Sequence, residues 1–153
     1  MSALAAIRPD DWNLPLFLHV LGAMVLVGGL FSCAGILAYA RGAEGMLRLG
    51  YWSLLGIALP GWVLMRIGAE WIYTKEGWDD LPAGAEPSWL ETGGFIADVG
   101  GLVLLVALVA GGIGMYRLRA GRGVGLLKVT LVLSVVLLAA YLVAVWAMAG
   151  KPD

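Results

Sequence analysis

Long apolar runs separated by short polar connections dominate the chain. They cover residues 13–40, 51–73, 95–117 and 129–149, and the first contains no formal charge. Because about 20 helical residues cross a hydrocarbon core of about 30 Å, each run is long enough to span a membrane. The sequence therefore predicts an all-α membrane protein in which residues 1–153 form a single transmembrane domain, a four-helix transmembrane bundle.

The charges between the runs predict the orientation of the bundle. The first and third connections are basic and contain Arg41, Arg48, Arg117, Arg119, Arg122 and Lys128. The second connection, 74–94, is acidic and contains Glu76, Asp79, Asp80, Glu86 and Glu91 against one lysine. By the positive-inside rule the basic connections are cytoplasmic. We therefore expect a multi-pass cell-membrane protein whose N- and C-termini and acidic loop lie outside.

Tryptophans cluster at this expected outer side. Trp78 and Trp89 lie within the acidic loop, Trp71 lies just before it, and Trp12 precedes the first run. Amphipathic rings of this kind are enriched at membrane interfaces. The pattern predicts either an aromatic belt or a lid over a ligand site.

Composition narrows the range of partners. Hydrophobic residues make up 61% of the chain, the net charge is −1, and no basic surface suited to nucleic acid is present. A single cysteine and a single histidine provide neither a disulfide framework nor a metal-ligand cluster. The bilayer is the expected partner, and a homo-oligomer or a redox partner stays open.

Small residues four apart predict close helix packing, within one bundle or between protomers. They are Gly28 with Ser32, Gly29 with Cys33, Ala107 with Gly111, and Ala110 with Gly114.

Four ionisable residues interrupt the apolar runs: His19, Arg66, Glu70 and Asp98. Charged groups near a helix centre cost roughly 2.5 to 3.5 kcal/mol each unless they are paired or hydrated. Arg66 and Glu70 are four residues apart, so they share a helix face and can form an ion pair. His19 and Arg66 each lie roughly 10 Å inside the outer end of their run. The pattern predicts a polar pocket in the outer leaflet.

The second run supplies the aromatic side of this pocket. Trp62 and Tyr73 lie on one helical stripe with Arg66 and Glu70. Pro60 cannot donate its backbone hydrogen bond, so a kink is expected just inward of the pair. We expect Glu70, Asp98 and Tyr73 to line the pocket, and His19, Arg66 and Trp62 to contact a cofactor if one binds.

The chemistry of the pocket stays open between several readings. His19 is suited to haem ligation, to proton transfer, or to a buried hydrogen bond. Arg66 is suited to a propionate, a quinone carbonyl, or its ion pair with Glu70. Haem and quinone are therefore the cofactors considered, and no residue is assigned to catalysis. The alternative is a non-catalytic membrane subunit or small transporter, in which Arg66, Glu70 and Asp98 form a structural or proton-conducting network.

Two apolar segments carry a family resemblance: LHVLGAMVLVGGLF in the first run and GYWSLLGIALPGWVLMRIG in the second. With Trp89 and Gly93 ahead of the third run, they resemble a loose superfamily of small multi-helix membrane proteins. It includes copper-resistance protein D, the HemJ-type protoporphyrinogen oxidases and an uncharacterised family of predicted integral membrane proteins. The resemblance to the HemJ-type enzymes implies a haem role for His19. Asp98 stands where those enzymes carry a basic residue, which favours the uncharacterised branch.

Overall fold

The structure, a computed structural model, describes residues 13–80, 82 and 87–150. Within these residues the chain forms α1 (Asn13–Tyr39), α2 (Glu44–Glu76), α3 (Ser88–Arg119) and α4 (Gly125–Gly150). Each of the four is long and apolar enough to cross a membrane. The prediction of an all-helical, multi-pass membrane fold is thus confirmed. The predicted interfacial Trp12 and the loop carboxylate Glu86 lie outside the described residues.

The helices are longer than the apolar runs that indicated them. α2 starts at 44 where the run starts at 51, and α3 starts at 88, the position of Ser88, where the run starts at 95. Apolarity marks only the part of a helix that lies in hydrocarbon, whereas polar residues continue the same helix toward water. The connection predicted over 74–94 is correspondingly shorter, and it contains a 3-10 turn at Trp78–Asp80.

Neighbouring helices run antiparallel. Gly29 of α1 lies against Ala58 of α2, and Gly114 of α3 lies against Leu127 of α4. α1 also packs on α4, whereas α2 and α3 approach each other least closely among adjacent helices. The α1–α2 and α3–α4 connections therefore lie at one end of the bundle, called the basic end. The α2–α3 connection lies at the other, called the acidic end.

Glycines allow α1 and α2 to pack with their backbones in contact. A Cβ built at Gly29 would lie 2.5 Å from the backbone nitrogen of Ala58. Gly22, Gly61 and Gly68 face the opposing backbone in the same way. Because a methyl group at any of these positions would force the helices apart, this interface depends on the absence of side chains.

A π-helical turn interrupts α2 at Leu54–Ala58, just before Pro60. It joins the α-helical parts Glu44–Ser53 and Leu59–Glu76, and the N–H of Leu59 donates to the carbonyl of Leu54. Proline lacks the N–H of an α-helical bond, and its ring collides with the carbonyl four residues earlier. The wider π turn accommodates both the missing N–H and the bulk of the ring. The sequence predicted a kink at Pro60, and the structure has a π turn in α2 on the basic-end side of this proline.

The bundle buries a narrow apolar core and presents apolar side chains outward. Leu26, Leu30, Leu54 and Leu104 are fully buried. The outward faces carry large exposed hydrophobics that include Phe31, Met24, Phe95, Leu102 and Trp146. An apolar exterior on this scale would be unfavourable in water, so it fits a protein whose solvent is lipid.

Candidate functional site

Arg66 is the centre of a polar cluster between α2 and α3. Its Nη2 lies 2.6 Å from Oε1 of Glu70 and 3.0 Å from Oδ1 of Asp98. The first ion pair follows from the spacing of four residues on one helix, and the second crosses to α3. The structure therefore brings together three of the predicted pocket residues. One cation faces two carboxylates, so the cluster has a net charge of −1 when all three are ionised.

Long side chains fill the space between α2 and α3, here called the α2–α3 seam. Trp62 donates from Nε1 to the carbonyl of Ala97 at 3.2 Å, and its ring lies against Gly101. Nearer the basic end, the ring of Tyr51 lies against Gly111. These rings occupy the volume left by the wide spacing of the two helices. The carbonyl that Trp62 bonds belongs to Ala97, the residue before Asp98, so the indole is anchored next to the α3 end of the ion cluster.

His19 lies at a different interface. Its Nδ1 is 3.1 Å from the carbonyl oxygen of Met65, to which only a protonated Nδ1 can donate, and its backbone lies against Gly68. This bond joins α1 to α2, whereas the Arg66 ion pairs join α2 to α3 and lie within α2. His19 thus bonds Met65, the residue before Arg66 in α2. The two polar side chains nevertheless connect different helix pairs, α1 with α2 and α2 with α3.

Tyr73 contributes to the acidic end. Its hydroxyl donates to the carbonyl of Trp78 at 3.4 Å, which closes the turn after α2. The indole of Trp78 packs edge-on against Trp89 with ring centroids 6.3 Å apart, and its Nε1 donates to Glu76. Gly77 adopts a left-handed conformation at the C-terminus of α2, a common way to end a helix. These contacts connect the end of α2 to the start of α3.

Tyr141 of α4 belongs to this region, although the sequence reasoning did not assign it to the pocket. Its side chain is 3% exposed, and a Cβ at Gly100 would lie 2.6 Å from its hydroxyl oxygen. Among the residues that the structure describes, no hydrogen bond of normal geometry reaches that hydroxyl, and the Trp62 indole is its polar neighbour. The signal in the sequence was the one phenol in the fourth apolar run, whereas its approach to Gly100 is visible only in the packed bundle.

The cluster is open to the outside of the bundle. The side chains of Glu70 and Asp98 are 60% and 66% exposed, whereas that of Arg66 is 26% exposed. A groove of about 580 Å³ runs beside them and is lined by Arg66, Ile67, Glu70, Trp71 and Thr74. Two of the predicted pocket residues, Arg66 and Glu70, are among its lining, and the whole lining belongs to α2.

The arrangement can bind ions and donate hydrogen bonds, and its elements tie neighbouring helices together. Arg66 bridges two carboxylates, Trp62 bonds a backbone carbonyl, and His19 bonds another. Comparison with protein-family models, curated proteins and solved structures finds no match to this chain.

Proposed function

We propose that the chain is a non-catalytic integral membrane subunit whose polar residues connect its helices and bind a partner in the bilayer. The observation that carries the proposal is the double pairing of Arg66 with Glu70 and Asp98. Because two carboxylates share the positive charge of the Arg66 guanidinium, it is a weaker electrophile toward a substrate carbonyl. Its pairing instead compensates charge at the seam where the α2 and α3 backbones pack least closely.

The hydrogen bonds of the other candidate residues support the same reading. Trp62 donates to Ala97 on a neighbouring helix, and His19 donates to Met65. Each bond satisfies a polar group that hydrocarbon cannot solvate. Polar groups used in this way give a bundle a defined helix register without any reaction.

The absorption spectrum of the purified, folded protein tests this proposal. We expect a colourless protein with no extractable quinone, and we expect thermal stability to fall when Arg66→Gln removes the shared cation. Arg48→Gln, an exposed change in the same helix, is the matched control. A coloured protein, or a folded protein that retains a quinone through purification, would contradict the proposal.

Haem binding at His19 is the second candidate, and one observation favours it. Because Nδ1–H donates to Met65, Nε2 carries the free lone pair that iron requires. His19 would then hold the iron, and bound haem would supply electron transfer. The close packing of Gly22 and Gly68 leaves no space for a porphyrin between α1 and α2, so the ring would have to lie beside that interface. A Soret band that His19→Ala abolishes in a folded protein would select this candidate.

We further propose that the acidic end faces outward from the cell membrane. Its supporting observation is the asymmetry of the connections, because the first and third carry arginines and the second carries carboxylates. Basic connections are retained in the cytoplasm. Both termini would then be outside, and the ion cluster would lie in the outer leaflet.

A further inference from the structure

The groove beside the ion cluster follows one face of α2. Its lining residues, Arg66, Ile67, Glu70, Trp71 and Thr74, fall at the spacing of successive helical turns. The groove is shallow and open, with about 580 Å³ of space above its floor, so a ligand there would keep one side toward the lipid. All of the lining residues belong to α2, so the groove opens away from the bundle toward the surrounding lipid.

The groove runs from the hydrocarbon region into the headgroup region. Pro60 is the central residue of the 33-residue helix α2. At about 1.5 Å per residue, Arg66 lies about 9 Å, Glu70 about 15 Å and Thr74 about 21 Å from that centre. The hydrocarbon half-thickness is about 15 Å, so a centred helix places Glu70 at the boundary. Arg66 reaches toward that boundary because its guanidinium bonds Glu70, one turn closer to it.

The polar groups in the groove, together with Asp98, which reaches its edge from α3 through the ion pair with Arg66, carry both signs of charge. In the part of the chain that the structure describes, both ion pairs of Arg66 use Nη2, so its Nε–H and Nη1–H donors remain available. The carboxylates of Glu70 and Asp98 are largely exposed and can accept further hydrogen bonds. The site therefore offers donors suited to a phosphate beside acceptors suited to an ammonium group, with an excess negative charge.

We propose that this groove binds the phosphoethanolamine headgroup of a zwitterionic phospholipid. The phosphate accepts from the free donors of Arg66, and the primary ammonium donates to Glu70 and Asp98. Trp71 and Ile67 pack against the glycerol and the upper acyl chain. This inference rests on one part of the proposed function, namely that the protein binds a partner in the bilayer.

Charge complementarity distinguishes this headgroup from the other common ones. Phosphatidylglycerol offers a phosphate to Arg66 but no cation, so it meets two carboxylates at close range. Phosphatidylcholine has the right charges, but its quaternary ammonium has no N–H to donate to Glu70 or Asp98. A primary ammonium provides three donors, and hydrogen bonds between charged groups are the stronger kind.

Native mass spectrometry of the full chain in mild detergent tests the proposal. Phosphatidylethanolamine, phosphatidylcholine and phosphatidylglycerol with identical acyl chains are titrated separately. We expect one phosphatidylethanolamine to bind about tenfold more tightly than either of the other two. Equal affinities would mean non-specific annular lipid, and a preference for phosphatidylglycerol would mean that Arg66 alone governs binding. Either result overturns the proposal.

Variants locate the preference in the groove. The double variant Glu70→Gln/Asp98→Asn should lose the preference for phosphatidylethanolamine. Because it leaves Arg66 unpaired, its fold is checked by circular dichroism, and the single variant Asp98→Asn, which keeps the Arg66–Glu70 pair, should weaken the preference in a folded protein. Asp80→Asn removes an exposed carboxylate at the same end, outside the groove, and should keep the preference. A double variant that binds phosphatidylethanolamine as the parent does would refute the site. The lipid site would also be refuted if the parent protein formed a lipid-free dimer and the same two substitutions dissociated it, because the charges would then bind a second copy of the chain.

The two proposals can fail separately. A Soret band or a retained quinone contradicts the non-catalytic function whatever the lipid titration shows. A parent protein that is colourless but shows no headgroup preference contradicts only the lipid site. The absorption spectrum and the titration are measured on the same purified sample, so the two outcomes are not confused.

Discussion

The ion pair between Arg66 and Asp98 should be visible as a coupling energy between α2 and α3. The perturbation is a double-mutant cycle of Arg66→Gln, Asp98→Asn and the combination. Two unit charges about 4 Å apart attract by about 4 kcal/mol at an effective dielectric constant of about 20. The pair lies at 3.0 Å, but Asp98 is 66% exposed, so desolvation and side-chain ordering offset much of this attraction. We expect a net coupling of about 1 to 1.5 kcal/mol, within the range of measured interhelical couplings in membranes.

The single variants should differ in size because the cluster is asymmetric. Arg66→Gln breaks two ion pairs at once, but both carboxylates are mostly exposed, so we expect a loss of about 1 to 2 kcal/mol. Asp98→Asn leaves Arg66 paired with Glu70, so we expect a loss of about 1 kcal/mol. The double variant should be less destabilised than the sum of the two.

Reversible unfolding in mixed detergent micelles, followed by far-ultraviolet circular dichroism, measures these free energies. Arg48→Gln and Asp80→Asn are the matched controls, because both parent side chains are exposed and lie away from the seam. The cycle refutes the reasoning if the two changes add within about 0.5 kcal/mol, the ordinary scatter for independent sites. It does so equally if Asp98→Asn costs more than Arg66→Gln.

Three further predictions concern packing, an unsatisfied hydroxyl and topology. Gly101→Ala should destabilise the bundle by about 1 to 3 kcal/mol in the same unfolding assay, because its methyl would lie 2.7 Å or less from two atoms of the Trp62 ring. The control Gly94→Ala, in open space on the same helix, should cost nothing. Tyr141→Phe should leave the free energy of unfolding unchanged or raise it slightly, since no hydrogen bond of normal geometry reaches its hydroxyl. A loss above about 1 kcal/mol would reveal a bond to Trp62, a water or a ligand. A membrane-impermeant maleimide should label Asp80→Cys in intact cells and Gly121→Cys only after permeabilisation, both in a cysteine-free background; the reverse pattern would invert the orientation.

The sequence predicted the helices well because hydrocarbon imposes one strong constraint on length and polarity. It predicted the Arg66–Glu70 pair for a similarly local reason, since four residues always bring side chains together on a helix. The ends of α2 and α3 were harder to predict, because polar residues outside the membrane can be either helical or irregular. Helix propensity alone does not decide between them.

Contacts between helices depend on rotation about each axis, which a single sequence constrains weakly. The small residues of α1 illustrate this: Gly29 packs on Ala58 of α2, whereas a Cβ added at Gly28, one position earlier, would meet no described neighbour within 4 Å. Both glycines fit a small-residue repeat. In the same way, the position of His19 at the α1–α2 interface, and the approach of Tyr141 to Gly100, required the packed bundle.

Stability alone is a weak reason for three charges to lie at the α2–α3 seam. Paired charges in a low-dielectric site are often no more stabilising than well-packed apolar side chains of similar volume. Here Trp62 and Tyr51 already fill the seam, so apolar residues could complete it without any desolvation cost. The cluster also has two carboxylates for one guanidinium, an imbalance that helix pairing does not require. An exposed net negative charge at the edge of the hydrocarbon is better explained by a cationic group that binds there, which is the role we assign to the lipid ammonium.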